Sequence, residues 1–153
     1  MEQLALKKAI FDKVIQQQTL LIADIAQRIK DLKESMASVE VGSFGGSDDA
    51  RREEDVEGLQ TEKTHLDFAQ AELQKLQELA KHITLNSSVV GGAIIKTNHF
   101  NFIFAINMPQ LIHDGVSYFV VSEQAPLFKA LEGKKLGESA QINGHTHTIL
   151  QLM

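Results

Sequence analysis

The chain has 153 residues, 43% of them hydrophobic and 23% charged, which is material for one ordinary domain or a small domain with a long appendage and excludes disorder throughout. The absence of cysteine excludes disulfides and thiolate metal sites and suits a reducing cytoplasm. The formal charge of −5 resides in residues 1–85, where 16 acids face 11 Lys/Arg; residues 86–153 carry four of each, and the basic stripe of a nucleic-acid binder is missing.

No basic segment leads into an apolar h-region, and no apolar run approaches the ~18 residues needed to span a bilayer. A soluble, cytoplasmic protein that makes no membrane contact is the expectation. From Leu4 to Met36 the apolar positions step by fours and threes through Phe11, Ile15, Gln18, Ile22, Ile25, Ile29, Leu32 and Met36, a heptad seam with one polar member. Gln18 in that seam is expected to set register. A second seam runs through Leu59, Glu62, Leu66, Ala69, Leu73, Leu76, Ala80 and Ile83. Each helix should be on the order of 40 to 50 Å long at 1.5 Å per residue.

Two seams of similar length joined by a short connection predict an antiparallel hairpin, because each apolar stripe finds its partner in its neighbour. The connection is read over residues 37–47, with Gly42, Gly45 and Gly46 permitting the reversal and Ser47 capping the second helix. Just after it, residues 48–57 hold Asp48, Asp49, Glu53, Glu54, Asp55 and Glu57 against Arg51 and Arg52, a local charge of −4. Acids in the first turns of a helix suit its dipole by ~0.3 to 1 kcal/mol each, but carboxylates at this density repel one another and exceed what that accounts for.

After Leu85 the texture changes. Residues 86–92, "NSSVVGG", read as a link and turn, followed by strand-like runs "AIIKTNHFNFIFAI", "VSYFVVS", "SAQI" and "HTHTILQL". Alternation places Phe100, Phe102, Phe104 and Ile106 on one face and Asn101, Ile103 and Ala105 on the other, the aromatics being expected as buried strand residues. Asp114-Gly115 and Asn143-Gly144 signal two-residue hairpins. Between them "APLFKALEGKK" predicts a short helix with Pro126 in its first turn and Gly133 at its C-terminal end. The predicted class is α+β: a coiled-coil stalk over 1–85, with its acidic tip near 37–57, and a small domain over 86–153 built from about five strands around one helix.

His145 and His147 share one face of a strand, as a metal pair would require; no third ligand has persuasive spacing, His99 and His113 being the residues that could come near. Two strand histidines after a hairpin turn are the expected reading, without metal.

"APLFKALEGKKLGE", residues 125–138, resembles the "SPLGxALLGKKVGD" signature in the C-terminal domain of bacterial Gre-type transcript cleavage factors. "TNHFNFIFAI" and "IHDGVSYFVVS" resemble a divergent Gre-related branch, and the order of stalk, acidic tip, linker and small domain matches end to end. The resemblance implies an FKBP-like C-terminal domain that docks at the rim of the secondary channel of RNA polymerase. It also implies a monomer with no catalysis of its own, whose tip carboxylates help the polymerase hold a second Mg²⁺ while a backtracked transcript is cleaved. Indirect contact with nascent RNA would follow.

Asp48 aligns with the family's aspartate, and Asp48 with Asp49, or Asp49 with Glu53 one helical turn later, could present a carboxylate pair. Asp48, Asp49 and Glu53 are therefore the candidate ligands of a Mg²⁺ held only in the complex, with Glu54 and Asp55 beside them at the tip. Phe128, Lys134 and Lys135 are the candidate docking residues. One departure stands out: Arg51 falls where the family has a glutamate, and a guanidinium is protonated at any relevant pH and cannot ligate Mg²⁺. Two further readings therefore stay open, a non-cleaving Gre-related channel regulator or inhibitor and a coiled-coil adaptor unrelated to polymerase.

Overall fold

The computed structural model describes residues 2–40 and 46–153, and side chains over 2–37 and 52–153. Two long helices, α1 (Glu2–Glu40) and α2 (Gly46–Lys81), precede six strands and a third, short helix. Both run further toward each other than expected, so the connection shrinks to residues 41–45 and Ser47 falls within α2 instead of before it. Gly42 and Gly45 lie outside the described residues. The chain divides into two compact units, Met1–Gln16 with Gln74–Met153, and Gln17–Leu73.

Within Gln17–Leu73 the two helices run antiparallel. Ile25, Ile29 and Ala69 form the buried core, with Ile22, Leu59 and Leu66 packed around them. Gln18 is 3% exposed and its Nε2 donates to the Ala69 carbonyl at 2.9 Å. Arg28 Nε meets Glu62 Oε1 at 3.0 Å, and a Cβ on Gly58 would touch Leu32 at 3.8 Å. The order of these pairs, 18 with 69, 28 with 62 and 32 with 58, fixes the antiparallel sense. Both polar seam members have a cross-helix partner, Gln18 a carbonyl and Glu62 Oε1 a guanidinium, while Glu62 Oε2 is buried with no hydrogen-bond partner among the described residues. Such cross-helix pairing is the way a polar group specifies one register over its neighbours.

In the other unit, β1 (Ile94–Thr97), β2 (Asn101–Ala105), β3 (Leu111–His113), β4 (Val116–Ser122), β5 (Ser139–Ile142) and β6 (His145–Leu152) form one mixed sheet in the order β3-β4-β2-β1-β6-β5. Only β2 and β4 pair in parallel among these strands. The helix α3 (Pro126–Leu131) lies in the β4–β5 connection, with proline in its first turn and Gly133 at φ 80° just beyond its end.

The sheet is buried on both faces. On one, Ile94, Ile103, Leu111, Tyr118 and Val120 pack against Ile10, Phe11, Val14 and Leu76 from the bases of α1 and α2. On the other, Ile95, Phe102, Phe104 and Ile149 pack under Phe128 and Leu131 of α3. This is an α+β fold with a long helical hairpin before the sheet.

The sixth strand arises where the sequence reading ran "AIIKTNHFNFIFAI" through as one segment. The chain turns at residues 98–100: Thr97 Oγ1 accepts from the backbone N–H groups of His99 at 3.1 Å and Phe100 at 3.0 Å, supplying the reversal that glycine or proline would otherwise mark. Two expectations fail, the first because of this turn and the second because β2 ends at Ala105. Phe100 is exposed, and Ile106, beyond the end of β2, joins the core on the helix-hairpin face instead of lying with Phe102 and Phe104.

The two predicted hairpins form as read. His113 pairs with Val116 across Asp114 (φ 49°) and Gly115 (φ 79°), and Ile142 pairs with His145 across Asn143 (φ 52°) and Gly144 (φ 81°). Positive φ at both central positions is the type I′ geometry that matches strand twist. A Cβ at Gly144 would meet nothing within 4 Å, so Gly144→Ala costs backbone strain alone. The expected loss is about 1 kcal/mol, read as a lowered midpoint in thermal melts.

Candidate functional site

The acidic stretch occupies the start of α2. Asp48 and Asp49 belong to the helix by their backbone, and their side chains lie outside the described residues, as does that of Arg51. Glu53 and Glu54 are exposed on the helix, Asp55 is half-buried, and Glu57 is exposed. Arg52, Glu53, Val56 and Glu57 line one open groove, Glu53 and Glu57 being a helical turn apart.

Asp55 Oδ2 is buried with no hydrogen-bond partner among the described residues. Among the acids of the stretch whose side chains are described, Asp55 therefore has one oxygen out of solvent, whereas Glu53, Glu54 and Glu57 are exposed. Chemically, the stretch offers hard carboxylate oxygens of the kind that Mg²⁺ prefers, on a helix that presents them one turn apart. Among the described residues no three His, Cys, Asp or Glu side chains are gathered to hold a metal by themselves. Glu53 could therefore contribute one oxygen to an ion whose other ligands come from elsewhere.

Further along, Glu62 is ionised more readily than an ordinary glutamate. The hydrogen bond from Arg28 is the main cause, and His65, at 3.6 Å, adds to it.

The three docking candidates separate. Phe128 is 4% exposed, its ring 5.1 Å from that of Phe104, so it is a core residue of α3 and cannot serve as a surface contact. The reason is the helix's shortness: six residues leave one inward face, and Phe128 and Leu131 fill it. Lys134 is half-buried and Lys135 exposed. The backbone around them is tied down, the Lys134 carbonyl accepting from Val89 N–H at 2.8 Å and Lys135 N–H donating to Glu138 Oε1 at 2.9 Å.

Three histidines come together although no spacing in the sequence signals it. The turn at 98–100 carries His99 over β6, placing its ring 4.9 Å from that of His147 and 5.8 Å from that of His145. His113 is elsewhere, 3.4 Å from Asp114. His99 Nε2 lies 3.1 Å from the Thr146 carbonyl, while His147, 8% exposed, has an unpartnered Nδ1. Burial first, and then the neighbouring His99 and His145, hold the His147 pKa below that of a free imidazole. The group is a packed aromatic corner with Phe100 and Phe102 against it, and no metal set is assembled there.

No family model matches the chain, and no curated protein matches it. Among solved structures it is similar to the crystal structure of GreA factor homolog 1 (Gfh1) of Thermus thermophilus, with a TM-score of 0.34 and 12% identity over 91% of this chain and 94% of that one. A likeness of that score and identity decides neither the fold nor the activity of this chain. No helix among the described residues is long and apolar enough to cross a membrane.

Proposed function

We propose that this chain is an accessory factor of RNA polymerase that enters the secondary channel with its helical hairpin and anchors through its C-terminal domain. The observation that carries the reading is the acidic start of α2: six acids within residues 48–57, of which Glu53, Glu54 and Glu57 are exposed on an antiparallel hairpin. The resemblance of "APLFKALEGKKLGE" to the Gre signature supplies the partner. In this reading Asp48, Asp49 and Glu53 supply oxygens to a Mg²⁺ that the polymerase also holds, and the polymerase performs the hydrolysis. Lys134 and Lys135 remain as docking residues once Phe128 is assigned to the core.

The test is a stalled, backtracked polymerase. Added protein is expected to shorten the transcript's 3′ end, and Asp48→Asn with Asp49→Asn to reduce that shortening at least tenfold while binding persists. No shortening at saturating protein and Mg²⁺ removes the cleavage role. A second reading, a channel occupant that regulates without cleaving, is favoured by Arg51 at the position where the family has glutamate. It predicts binding and altered elongation with no shortening, whereas failure to co-purify with polymerase leaves a coiled-coil adaptor.

A further inference from the structure

In the unit that contains the sheet, one buried ammonium group lacks a counter-charge among the described residues. Lys7 is 2% exposed, and its Nζ donates to the Thr84 carbonyl at 2.7 Å and to Asn86 Oδ1 at 2.6 Å. Both acceptors are neutral. A lysine ammonium has three donors, and among the described residues no third acceptor and no carboxylate within ion-pair distance meets this one. Its burial without compensation draws the pKa from 10.5 down to about 8.

The same side chain lines a cavity of about 400 Å³. The other charges on its wall are already matched: Lys75 pairs with Glu123 at 3.1 Å, and Glu78 with Lys81 at 2.9 Å. His82, also on the wall, is exposed. Phe11, Leu79 and Ile83 supply an apolar surface beside the ammonium. Gly91 closes against Glu123, whose Oε1 would lie 1.9 Å from any Cβ there, so the backbone comes up to the wall where only glycine fits without displacing that carboxylate.

We propose that this cavity binds a small aliphatic monocarboxylate, its carboxylate on Lys7 Nζ and its alkyl chain against Phe11, Leu79 and Ile83. One uncompensated positive charge calls for one negative charge. A phosphate dianion would bring a second negative charge for which the wall, its other cation Lys75 already paired with Glu123, offers no free partner. The volume accommodates a chain of about six carbons, within the range of small-ligand pockets. The site is independent of the acidic start of α2 and of any polymerase.

The test titrates uniformly ¹³C-labelled protein with hexanoate, acetate and inorganic phosphate, following the Lys7 Cε signal. Hexanoate is expected to move it saturably and raise its titration midpoint. Four added methylenes against an apolar wall should make hexanoate bind at least about tenfold tighter than acetate, with no saturable response to phosphate. Lys7→Met should weaken hexanoate binding, measured calorimetrically, at least about tenfold. A Lys7 signal unmoved by either carboxylate, equal affinity for acetate and hexanoate, tighter binding of phosphate, or undiminished binding by Lys7→Met would each overturn the assignment. If that variant does not fold, the signal in the unaltered protein decides alone.

Discussion

Phe104→Ala is expected to destabilise the sheet-containing unit by about 3 to 5 kcal/mol, the range for a fully buried phenylalanine whose cavity cannot collapse. Phe104 is 0% exposed, sits in β2 between the parallel β4 and the antiparallel β1, and faces α3. Its ring stacks on Phe102 at 6.2 Å and meets Phe128 at 5.1 Å. Its backbone is fixed on both sides, by Ala93 and Gly92 on one, to which its N–H donates and from which its carbonyl accepts at 2.7 Å, and by the pairing with Val121 of β4 on the other, so the main chain cannot slide to fill the void.

For a domain with a total stability of ~5 to 15 kcal/mol that loss is a large fraction. Tyr118 is the only tyrosine, there is no tryptophan, and Tyr118 is buried in this unit, so its fluorescence in urea reports on the sheet specifically. Phe119→Ala, at an exposed position of β4, is the control and should cost less than about 1.5 kcal/mol. Equal losses at the two positions would contradict the packing of α3 on β2.

Raising the pH from 7 to 9.5 is expected to stabilise the same unit, and Lys7→Met to abolish that rise. The folded pKa of Lys7 lies near 8 and its ordinary value is 10.5, so below pH 8 the group is charged in both states. Above pH 8 the folded protein releases the proton while the unfolded chain keeps it until about 10.5. The unfolded state then binds more protons, and stability climbs with pH. Discounted for solvent in the cavity, the gain is on the order of 1 to 2 kcal/mol between pH 7 and 9.5.

The upper limit of the window is set by Tyr118, whose phenol is pushed up by burial and then by Asp114. That shift acts in the opposite direction, removing stability once the unfolded phenol ionises near pH 10. Urea midpoints at pH 7, 8, 9 and 9.5 provide the measurement. A flat profile for the unaltered protein, or the same climb in Lys7→Met, would show that Lys7 is not the group responsible.

The helical hairpin was legible because its pattern has one period and one partner. Every seam position whose side chain is described is buried or half-buried, including the polar members Gln18 and Glu62. What the seam could not reveal is the second stripe at the base of α1. Ile10 and Val14 are fully buried beside Phe11 because that part of the helix faces the sheet as well as α2, and two partners widen the apolar face beyond a heptad seam.

Lys7 was invisible for a related reason: lysine is among the residues least often buried, and only the approach of Thr84 and Asn86 from the linker makes sense of it. Turns written in glycine were read correctly at 114–115 and 143–144. The turn at 98–100 carries no glycine or proline because a threonine hydroxyl does the work there, which hid the exposure of Phe100 and left the sequence unable to choose between His99, which does reach His145 and His147, and His113, which does not. Phe128 was misread as a contact because a motif locates a helix without saying which of its faces looks inward.

The strand order has a bearing on how the protein is born. β1, in the middle of the sheet, has β2 on one side and β6 on the other, and Ile94 exchanges backbone hydrogen bonds with Met153. Until the β6 segment has left the ribosome and paired, its side of β1 is a bare flank of unpaired amides and carbonyls, a surface to which a neighbouring nascent chain can add a strand. Translation pauses just upstream of that segment would lengthen the exposure, and a chaperone that shields open sheet edges would shorten it.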